Sequence, residues 1–227
     1  MNVILFGATG MVGQGVLREC LLDPGIHEVL SIVRTPSGQQ HPKLRELVHT
    51  NFFDYSAIEP ELTGYDACFF SLGVSSAGMD EAKYTHLTYD LTLSAATTLA
   101  RLNPQMSFVY VSGVGTDSTE RGRSMWARVK GKTENALLKL PFQAAYMFRP
   151  GFIQPLHGIR SKTRLYQFVY TTLNPILPLL KSAFPKSMTT TEELGRAMIN
   201  VARNGYPKAI LETREITIVS RHLRLER

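Results

Sequence analysis

Cysteine is scarce in this sequence, and long apolar or basic runs are absent. The 227 residues include only two cysteines, Cys20 and Cys68, which are too few for a disulfide framework or a CxxC zinc site. Both lie among apolar neighbours, so we expect buried thiols in a reducing compartment. The six histidines show no i, i+4 pairing, which predicts no metal site. No uninterrupted apolar run reaches about 18 residues, so we expect no transmembrane segment.

Positive charge is in small excess, because 25 Lys and Arg residues stand against 19 Asp and Glu residues. The net charge of +6 would suit nucleic acid, an anionic membrane surface or an anionic small ligand. Since the basic residues occur singly or in short groups, we expect no nucleic-acid partner and a small-molecule substrate of unknown identity. The first residues, MNVILFGATG, carry no basic leader, which predicts no signal peptide and a cytoplasmic protein.

Short runs of Val, Ile and Phe alternate with longer stretches of helical periodicity, which is typical of βαβ units and a parallel sheet. The predicted strands are Asn2–Phe6, Glu28–Val33, Val48–Phe52, Ala67–Leu72, Ser107–Ser112, Ala144–Phe148 and Ile216–Val219. The predicted helices are Met11–Leu22, Met79–Asn103, Ser124–Leu140 and one that begins near Thr189–Glu193 and carries Leu194, Ala197, Met198 and Val201 on one face. This pattern predicts an α/β fold with a doubly wound, mostly parallel, Rossmann-like sheet.

The alternation lapses between residues 152 and 188. The stretch LYQFVYTTLNPILPLLKSAF is apolar and aromatic, and it contains Pro175 and Pro178. We expect a single domain over residues 1–227, with residues 152–188 as a small C-terminal cap. In one interpretation the segment is an ordinary packed excursion that closes the sheet edge or forms a homodimer interface, and in the other it is a lid over a substrate pocket. Both can hold together.

A glycine-rich loop, Gly7-Ala-Thr-Gly10-Met-Val-Gly13, follows the first predicted strand and opens the first predicted helix. Gly7 allows a tight turn, Gly10 lets the backbone approach a pyrophosphate, and Gly13 lets the helix pack close to the strand. The N–H groups of the helix N-terminus would face the anion. The loop therefore predicts a dinucleotide site, although its spacing is GxxGxxG rather than GxGxxG.

The end of the second predicted strand bears on the choice of dinucleotide. An NAD site usually has an acidic residue about 20 positions beyond the loop, where it binds the ribose 2′-hydroxyl. Here the strand ends Ile32-Val33-Arg34-Thr35. The planar cation of Arg34 suits a 2′-phosphate, which favours NADP over NAD, whereas a merely solvated arginine is the alternative.

Ordered motifs over residues 1–155 make the chain resemble the atypical, epimerase-like branch of the short-chain dehydrogenase/reductase superfamily. They are the GATGMVG loop, Asp54 after the third strand, Ser71-Leu72-Gly73, Val111-Ser112-Gly113, Lys130 in the next helix and Arg149-Pro150-Gly151 after the sixth strand. The run from Val129 to Glu134, followed by FRPG, is similar to the branch that contains the Tat-interacting tumour-suppressor protein. The resemblance implies an NAD(P)-binding oxidoreductase.

The resemblance also implies which residues hold the cofactor. They are Gly7, Thr9, Gly10, Met11, Val12, Gly13, Arg34, Phe53, Asp54, Leu72, Gly73, Lys130, Pro150, Gly151 and Phe152. In this interpretation Phe53 and Asp54 border the adenine, and Leu72 and Gly73 border the adenosine ribose. Lys130 binds the nicotinamide ribose, and residues 150–152 border the nicotinamide. Ser112 and Lys130 are the catalytic candidates.

One departure from the family pattern concerns the reaction itself. The Tyr-x-x-x-Lys pair, in which the phenol exchanges a proton with the substrate, reads Trp126-Ala-Arg-Val-Lys130 here. An indole N–H only donates hydrogen bonds and is no acid or base near pH 7. Ser112 could still hydrogen-bond a carbonyl oxygen, but a serine alone does not replace the phenol.

Three interpretations remain open at this point. In the first, the protein is a reductase that uses another proton donor, with Tyr84, Tyr89 and His86 as candidates that could equally be packing residues. In the second, the acceptor is a quinone or similar compound that takes its proton from water. In the third, the protein binds NADP(H) as a non-catalytic sensor or scaffold.

Overall fold

The structure is a computed structural model, and it describes residues 1–159 and 187–221. In these residues the strands are β1 (Asn2–Phe6), β2 (Glu28–Val33), β3 (Leu44–Val48), β4 (Ala67–Phe70), β5 (Ser107–Val111), β6 (Ala144–Arg149), β7 (Phe152–Gln154), β8 (Met188–Thr190) and β9 (Ile210–Glu212). Seven of them form one sheet in the order β3-β2-β1-β4-β5-β6-β9, and every neighbouring pair is parallel. The predicted doubly wound, Rossmann-like sheet is confirmed.

Helices cover both faces of this sheet. They are α1 (Met11–Leu22), α2 (Glu81–Thr85), α3 (Leu91–Leu102), α4 (Met125–Leu137), α5 (Thr191–Asn204) and α6 (Thr213–Arg221), with a 3-10 helix at Ser56–Leu62 and a π-helical turn at His86–Asp90. One core lies between the sheet and α1, α5 and α6, and the other lies beneath α3, α4 and the 3-10 helix. The central strands are apolar without alternation because both of their faces are buried.

The helix predicted after Thr189–Glu193 is confirmed as α5. Thr190 is its N-cap: the Thr190 hydroxyl accepts from the backbone N–H of Glu193, and the Glu193 carboxylate accepts from the backbone N–H of Thr190. This reciprocal capping box satisfies two backbone donors. The four residues predicted to share a face, Leu194, Ala197, Met198 and Val201, are fully buried against the sheet.

The prediction of a strand at Ile216–Val219 is wrong, because these residues lie in α6. Ile216 and Val219 are buried on one helical face, whereas Ile218 is 42% exposed. The i, i+3 spacing of the two buried residues satisfies a helix, and packing on α5 overrides the strand propensity of Ile and Val. The last strand of the sheet is β9 instead.

The other element boundaries differ more modestly. The third strand is Leu44–Val48 rather than Val48–Phe52, and the predicted helix Met79–Asn103 consists of α2, the π-helical turn and α3. Both cysteines are buried, as expected. No helix among residues 1–159 and 187–221 is both long enough and apolar enough to cross a membrane.

Most of the predicted cap, residues 160–186, lies outside the described residues. The chain on either side of it pairs as a small parallel sheet, with Phe152 opposite Met188 and Gln154 opposite Thr190. The backbone N–H of Phe152 also donates to Ser187 O at 3.0 Å. The two ends of the segment therefore lie together just beyond the end of β6, and the cap itself remains a prediction.

Candidate functional site

The strand order brings the predicted site residues to one edge of the sheet. The carboxyl ends of β2, β1, β4, β5 and β6 lie side by side, and each is followed by a loop that carries a predicted residue. Across the edge these loops carry Arg34, the glycine-rich loop, Leu72, Ser112 and Pro150 in that order. Ligands of open α/β sheets bind at this edge, where the strand order reverses between β1 and β4.

A groove of about 560 Å³ lies between the glycine-rich loop and the loop after β2. Its lining residues are Gly7, Ala8, Thr9, Gln14, Leu17, Ile32, Val33, Arg34, Thr35, Pro36, Ser37, Gln39, Phe52 and Leu72. Gly7, Thr9, Arg34 and Leu72 were predicted from the sequence. The polar side chains of Gln14, Thr35, Ser37 and Gln39 were not predicted, since no motif marks them. Thr35 and Ser37 could have been added to the predicted site, because they directly follow the end of β2.

The glycine-rich loop is tightly packed at its first and third glycines. Gly7 has a φ of +84°, and a Cβ on Gly7 would lie 2.7 Å from the carbonyl carbon of Ser71. A Cβ on Gly13 would lie 2.0 Å from Gly7 O. Gly10 is different, because its φ of −82° suits any residue and its Cβ would lie 3.3 Å from Gly7 O. The fold itself therefore requires Gly7 and Gly13, whereas a side chain at Gly10 would meet only Gly7 O.

The N-terminus of α1 suits an anionic ligand. Gly10 is its N-cap, so no side chain caps the helix, and its first turn contains no acidic residue. The N–H groups of the first turn need acceptors from outside the helix, and a pyrophosphate would supply them. The uncapped helix and the adjoining groove fit a dinucleotide.

Arg34 lies in the groove as an exposed side chain. Within the described residues the Arg34 guanidinium forms no ion pair with a carboxylate, in contrast to Arg45 on β3, which contacts Glu28 and Glu61. A guanidinium without a protein partner keeps its planar set of donors free for a phosphate.

Phe53 and Asp54 occupy the loop beyond the groove, and the groove-lining aromatic residue is their neighbour Phe52. The Asp54 carboxylate accepts from the backbone N–H of Ser56 at 2.9 Å, and hydrogen bonds from Ser56 lower the pKa of Asp54. The ring of Phe53 stacks on His86 at 4.3 Å between centroids. Gly73 is also not part of the groove lining, although its neighbour Leu72 is.

Ser112 belongs to a polar cluster between β5, β6 and α4. Its hydroxyl lies 2.5 Å from Glu134 Oε1 and 3.1 Å from Phe148 O, both of which are acceptors. The proton of the hydroxyl is therefore committed to one of these two oxygens. The expectation that Ser112 donates to a substrate carbonyl stays a prediction, and it requires the hydroxyl to turn away from these two oxygens.

Glu134 and Arg149 form the buried ion pair of this cluster. The Glu134 side chain is fully buried, and it accepts from Arg149 Nε at 3.0 Å and from Arg149 Nη2. Arg149 also contacts Ser118 Oγ at 2.5 Å and Glu212 at 3.4 Å. The hydrogen bonds to Glu134 raise the pKa of Arg149, so the guanidinium stays charged, and the pair fixes α4 against the end of β6.

Lys130 lies on α4, one turn after Trp126. Its Nζ is 3.5 Å from Val111 O at the end of β5 and 5.4 Å from the centre of the Tyr110 ring. Burial lowers the pKa of Lys130 to about 8, while the charge of Glu134 acts in the opposite direction. Trp126 packs on the loop after β5, where a Cβ on Gly115 would lie 3.4 Å from Trp126 Cη2.

The alternative proton donors on the helices after β4 have other contacts. Tyr84 is buried, and burial raises its pKa. The ring of Tyr89 lies under Lys132 Nζ at 4.4 Å, and His86 contacts Asp90 at 3.1 Å. These contacts fit the packing or surface roles that were the alternative for all three residues.

The residues that border the nicotinamide in the family pattern have mixed environments. Pro150 is buried and its carbonyl accepts from the backbone N–H of Val114 at 2.9 Å. Gly151 donates to Thr213 Oγ1 at 2.8 Å, and a Cβ on Gly151 would lie 2.5 Å from Ser187 O. Pro150 and Gly151 thus join the ends of β5 and β6 to the small sheet of β7 and β8.

A family model described as NAD(P)H-binding matches residues 7–140, which is more than half of the chain. The chain belongs to the NAD(P)H-binding family. The glycine-rich loop and all the residues that line the groove lie within the matched range. The expectations of an NAD(P)-binding family member and of a Rossmann-like fold are confirmed.

Relatives of this NAD(P)H-binding protein include the fungal proteins named fmp52, mitochondrial. The one from Emericella nidulans is 29% identical over 88% of this chain and 86% of its own length. The one from Aspergillus fumigatus is 31% identical over 72% of this chain and 70% of its own length. Since these relatives are named as mitochondrial proteins, the prediction of a cytoplasmic protein is wrong.

Solved structures with the same fold include NAD+-bound and dehydrogenase members. The enzyme WbmF from Bordetella bronchiseptica, in complex with NAD+, has a TM-score of 0.64 at 17% identity and covers 96% of this chain and 76% of its own. A short chain dehydrogenase family protein from Francisella tularensis has a TM-score of 0.64 at 15% identity, with 90% and 91% covered. At these identities the likeness establishes the shared fold.

Proposed function

We propose that the protein is an NADPH-dependent oxidoreductase that acts on a small carbonyl or quinone-like acceptor. The observation that carries the proposal is the groove beside the glycine-rich loop, in which Arg34 is exposed and has no carboxylate partner among the described residues. In an NAD site an acidic residue at this place would repel a 2′-phosphate, whereas a guanidinium binds it through charge-assisted hydrogen bonds.

In this proposal the chain holds the cofactor at three places. The uncapped N-terminus of α1 and the glycine-rich loop bind the pyrophosphate, and Arg34 binds the 2′-phosphate. Lys130 and residues 150–152 hold the nicotinamide end. NADPH supplies the hydride for the reaction, and the chain supplies the orientation of the acceptor, which accounts for much of the rate of such reactions.

The loops after β4 and β5 support an apolar acceptor. Val74 is 41% exposed and Val114 is 56% exposed, and these loops adjoin because β4 pairs with β5. Trp126 adds an aromatic surface next to Gly115 in the second of these loops. A flat apolar carbonyl compound or quinone suits such a surface better than a sugar, whose hydroxyl groups would need polar partners.

The test of cofactor choice is a fluorescence titration with NADPH and NADH. Arg34→Ala removes up to two charge-assisted hydrogen bonds to a 2′-phosphate, so we expect NADPH binding to weaken by about 10-fold to 100-fold. NADH binding should stay unchanged. Arg101→Ala, at the far end of α3, is the matched control because Arg101 contacts Glu59 away from the groove. Equal affinity of the wild type for both dinucleotides would overturn the NADP assignment.

A non-catalytic NADP(H) sensor is the second candidate, and the commitment of Ser112 to Glu134 and Phe148 favours it. NADPH oxidation should therefore be followed with 4-nitrobenzaldehyde and with menadione as acceptors. Turnover of either supports the oxidoreductase. Tight NADPH binding without turnover of a broad acceptor panel would favour the sensor.

A further inference from the structure

The site keeps a lysine on α4 but has an indole where related enzymes carry a phenol. Lys130 follows Trp126 by four positions, so both side chains lie on the same face of α4, toward the end of β5. The Lys130 Nζ reaches Val111 O, the last residue of β5, and thus the edge of the sheet at which the acceptor would bind. An acidic proton is therefore present at this edge although the phenol is missing.

The groups around Lys130 leave its ammonium available. Glu134 is the carboxylate nearest to it on α4, but the Glu134 oxygens are bound by Ser112 and Arg149. The other titratable neighbours are Tyr110 of β5, beneath the ammonium, and Tyr84 of α2, which adjoins Tyr110.

In the described part of the chain the only hydrogen bond from Nζ is the long contact of 3.5 Å to Val111 O. Since an ammonium has three N–H donors, donors remain for a ligand.

We propose that the Lys130 ammonium is the proton donor of the reaction, in place of a phenol. This proposal rests on the oxidoreductase function proposed above. As a hydride from NADPH bonds to the carbonyl carbon, the π electron pair of the carbonyl moves to its oxygen. That oxygen takes a proton from Lys130 Nζ, so an O–H bond forms and an N–H bond breaks. Water then returns a proton to the neutral amine.

The chemistry of a partly buried lysine supports this role. Burial lowers the pKa of Lys130 to about 8, so the group is still mostly protonated at pH 7 and is a stronger acid than an ordinary lysine. General acids work best when their pKa lies near the working pH. An arginine at this position would keep the positive charge but could not release a proton.

The experiment compares Lys130→Arg with the wild type, using 4-nitrobenzaldehyde and menadione as acceptors. With the aldehyde we expect kcat to fall by about 10²-fold in Lys130→Arg, the lower limit of what a general acid contributes. The fall with menadione should be smaller, because a quinone can take its protons from water. NADPH affinity, measured by titration without acceptor, should change by less than the fall in kcat. Lys132→Arg is the matched control on α4, since Lys132 lies over Tyr89 instead.

The pH dependence gives the mechanism a direct signature. The wild-type kcat for aldehyde reduction should decrease as the pH rises through about 8, because the protonated amine is the active form. This decrease should vanish in Lys130→Arg. A second readout needs no turnover: in protein carrying lysine labelled with ¹³C at Cε, the NMR signal that disappears in Lys130→Arg should titrate near pH 8.

Each outcome decides the proposal. A ¹³C midpoint near that of ordinary lysine, or an unchanged pH profile in Lys130→Arg, would overturn Lys130 as the donor and leave the oxidoreductase intact. NADPH binding without turnover of any acceptor would overturn both. A large loss confined to the aldehyde, together with a midpoint near 8, supports Lys130 as the donor.

Discussion

Replacing Gly13 by alanine tests how the glycine-rich loop is built. The new Cβ would lie 2.0 Å from Gly7 O and 2.5 Å from Gly7 C, whereas ordinary contacts between carbon and oxygen are about 3.3 Å or longer. These neighbours are backbone atoms, so α1 must move away from the loop by about 1 Å. Overpacking of this kind costs about 1–3 kcal/mol, and we take the upper end because no side chain can yield.

Alanine also favours a helix over glycine by about 1 kcal/mol, which offsets part of this cost. The net expectation for Gly13→Ala is a loss of about 2 kcal/mol in the free energy of unfolding, or a fall of about 4–8 °C in Tm for a chain of this size. The same displacement moves the N–H groups at the start of α1, so NADPH binding should weaken by at least about 10-fold.

Urea unfolding followed by circular dichroism, without cofactor, measures the stability loss, and fluorescence titration measures NADPH binding. Gly10→Ala is the matched control, since its Cβ would lie 3.3 Å from Gly7 O in an ordinary backbone conformation. Because glycine is preferred to alanine at an N-cap, that variant should lose about 0.5–1 kcal/mol, which is less than the loss in Gly13→Ala, and it should bind NADPH poorly because the added methyl group hinders the approach of a pyrophosphate. A Gly13→Ala protein as stable as the wild type would refute the reasoning about helix packing.

Three further predictions follow from α4 and its neighbours. Glu134→Ala leaves Arg149 without its buried partner and should lower the free energy of unfolding by about 3–5 kcal/mol, measured by urea denaturation. An equal loss in Glu134→Gln would show that the charge of Glu134 is unimportant. Trp126→Tyr restores a phenol and should raise kcat for 4-nitrobenzaldehyde by about 10-fold or more, with no rise expected for menadione. The pKa of Lys130 is lowered to about 8 in the folded protein, whereas an ordinary lysine has a pKa of about 10.4. Between these two pH values the unfolded chain binds more protons than the folded chain, so the free energy of unfolding rises with pH over that window. Lys130→Met should therefore be more stable than the wild type at pH 7 in urea denaturation, and the gain should disappear near pH 10.4.

Strands with both faces buried could be located from the sequence, because their apolar runs are continuous. β1 and β2 have the predicted bounds, Asn2–Phe6 and Glu28–Val33. β3 lies at the sheet edge, and its central residues Arg45 and Glu46 interrupt the apolar pattern, so the prediction moved to the next apolar run. The position of an edge strand depends on its pairing with β2, which local composition does not encode.

The dinucleotide groove could be predicted from the sequence, whereas the environment of the residues near α4 could not. The glycine-rich loop and Arg34 are local features, each readable from one strand end and its loop. The hydrogen bond from the Ser112 hydroxyl to Glu134 connects residues that are 22 positions apart on different elements, so no local motif predicts it. The low pKa of Lys130 likewise arises from burial, which the sequence spacing does not reveal.

The residues that line the dinucleotide groove lie apart from Trp126, so an indole can replace the phenol without disturbing the groove. Trp126 lies on α4 and packs on Gly115, whose φ of +86° is one that a larger residue rarely adopts. The indole packs directly on Gly115 in the loop after β5, whereas the groove is lined by α1, by the end of β2 and by the loops after β1, β2, β3 and β4. Since no groove-lining residue comes from α4, the proton-donating group can change while the groove stays the same. Cofactor binding and proton donation are then carried out by separate residues. Lys130, at the edge of the sheet, is in place to donate the proton.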